Sequence, residues 1–148
     1  MFKKVSQSVL KVIDKFTVSE EAHVLTNKSL LSQMTDHFKR QLEEHSVRKR
    51  MLYPMMFYIF IHPDDWSRRK EDLQFIILEI IDCFYEVIND YRAQYPNYTS
   101  PAKEWYFQFS NLADGNILTE SGERIELQEQ GKVSIMSRLL APNIYGNN

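Results

Sequence analysis

Glycine is scarce in this chain, and its four residues, Gly115, Gly122, Gly131 and Gly146, stand far apart. That spacing excludes a glycine-rich phosphate loop. With only five prolines beside them, the chain has too little turn chemistry for a many-stranded all-β fold, and helix-containing architectures are favoured. Cys83 is the sole cysteine, which rules out a disulfide within the chain. It suits a reducing compartment, or a cell surface that needs no disulfides. The longest apolar runs, Met55–Ile61 and Phe75–Leu78, fall far short of the roughly 20 residues that cross a membrane. The opening Met1-Phe-Lys-Lys has the charge of a signal-peptide start, but Ser6, Gln7, Ser8, Lys11, Asp14 and Lys15 interrupt any apolar segment. A cytoplasmic protein is expected.

What is present is enough for one folded domain. Apolar residues make up 43% and aromatics 13% of the 148 residues, which excludes a disordered chain. The net charge of −2 conceals an asymmetry. Residues 1–50 carry ten Lys/Arg against six Asp/Glu, and residues 51–148 carry eight against fourteen. A surplus of four positive charges is weak evidence for nucleic acid, and it suits an acidic protein face equally well.

Hydrophobic spacing divides the chain into a helical region over 1–50, an α+β core over 51–136 and a loose tail over 137–148. Phe2, Val5, Val9, Val12, Ile13 and Phe16 recur at threes and fours, with Lys3, Lys4, Lys11 and Lys15 around the polar side. This predicts a basic amphipathic helix, packed on its own domain or docked on a membrane surface or a partner. A second helix over 28–47 carries the stripe Leu31, Met34, Phe38 and Leu42, with Leu30 beside it and Thr26 or Asn27 as cap. It ends in Arg48-Lys49-Arg50, which complements the negative end of the helix dipole.

Met55–Ile61 then reads as a strand covered on both faces, paired only after Pro54. Pro63 ends it, and Asp64 or Asp65 is expected to cap the next helix. Leu73, Ile77, Ile80, Phe84, Val87 and Tyr91 form the seam of a long helix, widened by Ile76, Ile81, Cys83 and Ile88. Its polar residues, Asp72, Glu79, Asp82, Glu86, Asn89 and Asp90, fall in one arc of roughly 100°. So wide an apolar surface needs covering by more than one element. Trp105–Phe109 alternates as a second strand, its aromatics expected in the core. Arg124–Leu127 and Lys132–Met136 are expected to pair as a hairpin through Glu129-Gln-Gly131. The fold class is therefore α+β: two helices, then a β-α-β unit with parallel strands, then a short hairpin. The layout is KH-like but lacks that domain's Gly-x-x-Gly loop.

His62-Pro63-Asp64-Asp65 resembles the motif of the zinc-dependent N-acetylglucosaminyl deacetylases. That resemblance implies His62 and Asp65 as zinc ligands and Asp64 as general base. The family's further ligand is a later histidine, whereas His62 is the last in this chain, and Trp66 stands where the family has Glu. A strand end followed by a helix cap is the simpler reading. His23, His37 and His45 lack one-turn ligand spacing, and Cys83 lies on an apolar face with no activating neighbour. No catalytic set, metal or cofactor is expected.

A second resemblance covers roughly residues 1–112. Leu52-Tyr-Pro-Met-Met-Phe-Tyr-Ile-Phe-Ile-His-Pro-Asp-Asp-Trp66 is similar to the strand frame in the N-terminal module of bacterial scaffold proteins that carry a forkhead-associated domain. Pro54, Phe57, Ile59, Ile61, Pro63, Asp65 and Trp66 carry the match, and Met1-Phe-Lys-Lys matches that module's opening. Gly122–Arg138 is similar to the first hairpin of a forkhead-associated domain, with Met136-Ser137 in place of a glycine and no phosphothreonine-binding loops after it. The resemblance implies a non-catalytic adaptor in bacterial signalling or assembly. Its partner would be another protein or a second copy of this chain. Docking is expected through Leu31, Met34, Phe38 and Leu42 and through the acidic residues Glu79, Asp82, Glu86 and Asp90. The alternatives are a nucleic-acid module using Lys39, Arg40, Arg48, Lys49 and Arg50, and, more remotely, the zinc deacetylase site at His62–Asp65.

Overall fold

The computed structural model describes residues 24–100, 104–111, 117–118, 124–125 and 129–139. The expected first helix over 2–16 lies outside them, as does residues 140–148 of the tail. Four helical and extended elements form the body. Helix α1 spans Asn27–His45, strand β1 Met56–Ile61, the short helix α2 Pro63–Arg69 and the long helix α3 Leu73–Gln94. Strand β2 follows at Tyr106–Asn111, then β3 at Ile117–Leu118, β4 at Arg124–Ile125 and β5 at Val133–Arg138. The α+β class holds, built on a mixed three-stranded sheet in the order β2-β1-β5.

The β1 and β2 strands run parallel, with Phe57 opposite Phe107 and Ile59 opposite Phe109. A parallel pair needs a long crossover, and α2 with α3 supplies it. Among the described residues the expected C-terminal hairpin is not found. Instead β4 pairs with β3, placing Ile125 opposite Ile117, while β5 crosses to the free edge of β1 and runs antiparallel to it. Ser137 and Arg138, assigned to a loose tail by sequence, pair with Phe57 and Met56.

One sheet face and two helices enclose the core. Alternation along β1 buries Phe57, Ile59 and Ile61 completely or nearly so. Against them pack Leu30, Met34, Phe38 and Leu42 of α1 and Leu73, Ile76, Ile80, Phe84 and Ile88 of α3. The centre is aromatic. Phe38 stacks on Phe84 at 4.0 Å between ring centres, and Phe84 meets Phe57 at 5.3 Å and Trp105 at 5.6 Å. Offset and edge contacts of this kind add about 0.5–1.5 kcal/mol each beyond the area they bury. Tyr53 also lies in this cluster, 5.3 Å from Phe38, and burial pushes its hydroxyl up to about 12.

The buried row on α3 is turned slightly from the seam the sequence predicts. Leu73, Ile80 and Phe84 are buried as expected, but Ile77, Val87 and Tyr91 are only half-buried, and Ile76 and Ile88 take their place. Rows four residues apart lie nearly along the helix axis, which is the geometry of ridge packing against α1.

Polar side chains fix what the apolar core leaves free. Thr26 caps α1, its Oγ1 accepting from the Ser29 N–H at 3.0 Å. Asn27 bridges onward, its Nδ2 donating to Asp72 Oδ2 at 3.0 Å and its Oδ1 accepting from Arg69 at 3.2 Å. The β5 strand is held by α1: Gln33 accepts from the Val133 N–H at 3.0 Å and donates to the Gly131 carbonyl at 2.9 Å. Those bonds satisfy edge groups that a hairpin partner would otherwise take. Gly131 itself has φ 91°, a conformation that favours glycine.

Candidate functional site

The His62–Asp65 corner is built for structure. His62, not either aspartate, is the N-cap of α2, its Nδ1 accepting from the Asp64 N–H at 3.1 Å. That bond commits Nδ1 to the first turn of the helix. Asp65 is fully buried. Its Oδ1 accepts from the Leu25 N–H at 2.9 Å and from Arg68 at 3.3 Å, and its Oδ2 accepts from the Gly131 N–H at 2.7 Å. One carboxylate thus joins the approach to α1, the corner after β1 and the turn before β5. Gln130 adds a 3.0 Å bond to Asp64. Both Asp65 oxygens are committed to this junction, so the corner does not fit the zinc site that its sequence resembles. Among the described residues no three His, Cys, Asp or Glu side chains converge as a metal site.

His37 is likewise a packing residue. Its Nε2 lies 2.7 Å from Ser137 Oγ, and its ring meets Phe57 edge-on at 6.2 Å. Burial, aided by the Arg40 guanidinium, lowers its pKa to about 4. The imidazole is neutral at pH 7, and β5 is fastened to α1 by an uncharged bond.

The expected docking stripe on α1 is spent on the protein's own core. Met34, Phe38 and Leu42 have no exposed surface, and Leu31 is half-buried against the same cluster. A docking role for these side chains does not fit that burial. The five expected cations are all exposed, but they do not gather. Lys39 lines the α1–α3 groove, Arg40 lines a depression beside Val133 and Ile135, and Arg48, Lys49 and Arg50 lie past the end of α1. The helix is already capped at Ser46, and these three residues form a tight turn closed by Val47 and Arg50. Lys49 takes φ 61° at its tip.

The outer side of α3 presents the most exposed apolar surface on any helix among the described residues. Phe75 is 65% exposed, Leu78 63% and Tyr85 39%. At 100° per residue these three share an arc of about 80°, and Glu79, Asp82 and Glu86 extend it to roughly 120°. All three acids are exposed. Among the described residues, no other helix exposes two large apolar side chains to this degree. Glu86 stands at the edge of this face, where it and Asp90 also line an open groove of about 610 Å³ between α3 and α1, with Asp36, Glu43 and Lys39 completing the charged lining. Cys83 lies half-buried in that groove.

The acidic half of this surface was legible in sequence as a polar arc. The apolar half was missed, because Phe75, Leu78 and Tyr85 merge into a helix that is apolar over most of its circumference. The open side of the sheet is weaker as a site. There Tyr106 is 52% exposed, and Met56, Tyr58, Phe60 and Met136 are only half-exposed. No helix among the described residues is long and apolar enough to cross a membrane. Compared with known proteins, the chain matches no family model, no curated protein and no solved structure.

Proposed function

We propose that this protein is a non-catalytic adaptor that binds a partner protein through the outer face of α3. The observation that carries the reading is the pairing of the well-exposed Phe75 and Leu78, and of Tyr85, partly exposed and edge-on to Trp105 at 5.3 Å, with Glu79, Asp82 and Glu86 on one helical surface. An apolar row gives area, and flanking carboxylates select a basic partner and orient it. The matching ligand is a basic amphipathic helix. The scaffold-like frame at residues 52–66 supports the same class of function, an assembly role in the bacterial cytoplasm. The scatter of Lys39, Arg40 and Arg48–Arg50 over three surfaces gives a nucleic-acid reading less support.

In-cell photo-crosslinking tests this. A photoreactive phenylalanine analogue in place of Tyr85 should give a discrete partner band, and the same analogue in place of the exposed Glu44 on α1 should not. Reversing the charges with Glu79→Lys and Glu86→Lys should abolish the band. Equal labelling from both positions, or a band that survives charge reversal, would contradict the reading.

A further inference from the structure

The outward face of the sheet has a charge pattern that fits a second copy of itself. We propose that the protein forms a reversible two-fold dimer by packing this face against its own copy, with Arg138 of each chain set against Glu104 and Tyr106 of the other. The dimer does not depend on the recognition role of α3.

Strand register fixes the face. Phe57 and Ile59 turn into the core, and Met56, Tyr58 and Phe60 turn outward, each half-buried. Met56 has Tyr106 beside it on β2 and Arg138 beside it on β5, so both of these exposed residues point outward with it. Glu104 stands two residues before Tyr106, and Trp105 between them packs in the core against Phe84. Alternation therefore gives the exposed Glu104 to the outer face. The result is an apolar centre with a cation at one edge of the sheet and a carboxylate at the other, both towards the start of β1. Neither charge takes part in an ion pair among the described residues.

A face with charge of one sign repels its own copy, whereas opposite signs at opposite edges make this one self-complementary. A two-fold axis parallel to β1, lying above the face, sets β5 of one copy over β2 of the other with no shift along the strands. Arg138 then comes over Tyr106, where a cation–π contact is available, with Glu104 alongside, and the same pairing recurs across the axis. Aligned sheets pack about 10 Å apart, which brings Met56, Tyr58 and Phe60 against their counterparts between the charged edges. One arginine against one carboxylate leaves no surplus positive charge for a nucleic-acid backbone, so the aromatic face is disfavoured as a base-stacking platform. Three six-residue strands give a patch of about 14 Å by 20 Å. That is small beside the roughly 800 Å² a side of a standard interface, so the dimer is weak and concentration-dependent. Because α1 and α3 pack on the inner side of the sheet, a dimer joined at the outer side keeps both α3 faces free and makes the module bivalent.

Sedimentation velocity of the full chain, from low micromolar to submillimolar concentration, tests the proposal. The parent should pass from monomer to dimer over this range. Arg138→Glu and Glu104→Arg, each alone, should raise the dimer Kd about tenfold or more. An equimolar mixture of the two variants should dimerise about as well as the parent, because each chain then meets opposite charges in both pairings. Misfolding cannot produce that rescue. Leu78→Ser on α3 should leave dimerisation unchanged. A chain that stays monomeric throughout leaves the face to a different partner and overturns the dimer. A dimer indifferent to both charge reversals, or a mixture that gives no heterodimer, overturns it too. Loss of the dimer in Leu78→Ser would assign self-association to α3 and remove it from the sheet face.

Discussion

The two sides of α3 both carry large apolar side chains and put them to opposite use. Ile76, Ile80, Phe84 and Ile88 on the inner side are buried against α1 and the sheet, and Phe84 lies in the aromatic stack with Phe38 and Phe57. Phe75, Leu78 and Tyr85 on the outer side stand in an acidic border and keep from 39% to 65% of their surface exposed. Composition does not separate these two sets; neighbours do. The inner row faces other apolar rows, and the outer row is edged by carboxylates that would lose hydration if a core closed over them. A single helix can therefore serve as a pillar of the fold on one side and carry the proposed recognition surface on the other.

The comparison is broken most forcefully on the inner side. Phe84→Ala removes the ring at the centre of the stack and should cost about 3–5 kcal/mol in urea unfolding. Next comes the Asp65 junction, which holds three chain segments without touching either α3 face. Asp65→Ala leaves the buried amides of Leu25 and Gly131 without their acceptor and should cost about 2–4 kcal/mol. It should leave the sequence of partners captured at α3 unchanged among molecules that remain folded.

A smaller effect is expected from acid. His37 is held near pKa 4 in the folded state against 6.5 when free, so the unfolded chain binds the proton more readily. Stability is fully present above about pH 6.5 and declines as the pH falls towards 4. The loss should be about 1–2 kcal/mol once solvent screening is allowed for. His37→Leu should flatten this part of the stability profile, measured by urea midpoints across the range. Smallest of all is the outer face. Leu78→Ser should change stability by about 1 kcal/mol or less, because little of that side chain is buried in the core.

Local periodicity explains which parts of the molecule could be read from sequence. Helix α1 and α3, strand β1 and the parallel β1–β2 pair all follow from repeats of four and three or from an unbroken apolar run. The cap of α1 was readable to within one residue, as Thr26 or Asn27, since the partner of Thr26 is three residues away. What escaped depends on contacts across the chain. Asp65 looks like a helix cap because its role is set by amides 40 and 66 residues distant. The β5 strand looks like half of a hairpin because its true place depends on Gln33 and His37, about 100 residues away. The proposed recognition face was half visible: its carboxylates form a periodic arc, while its apolar members become distinct from the core only when α1 and the sheet are in place. On α1 the same ambiguity ran the other way, and a stripe that resembled a docking surface proved to be core.

The division of labour on α3 is tested most directly by measuring two quantities on one pair of variants. Urea midpoint and photo-crosslinking from position 85 are recorded for Phe84→Ala and for Leu78→Ser. Leu78→Ser should reduce the crosslinked partner severalfold while the midpoint stays near that of the parent. Phe84→Ala should lower the midpoint strongly and reduce crosslinking only in proportion to the unfolded fraction. A Leu78→Ser protein that unfolds as readily as Phe84→Ala, or that keeps its full partner yield, would contradict the assignment of the outer face to recognition.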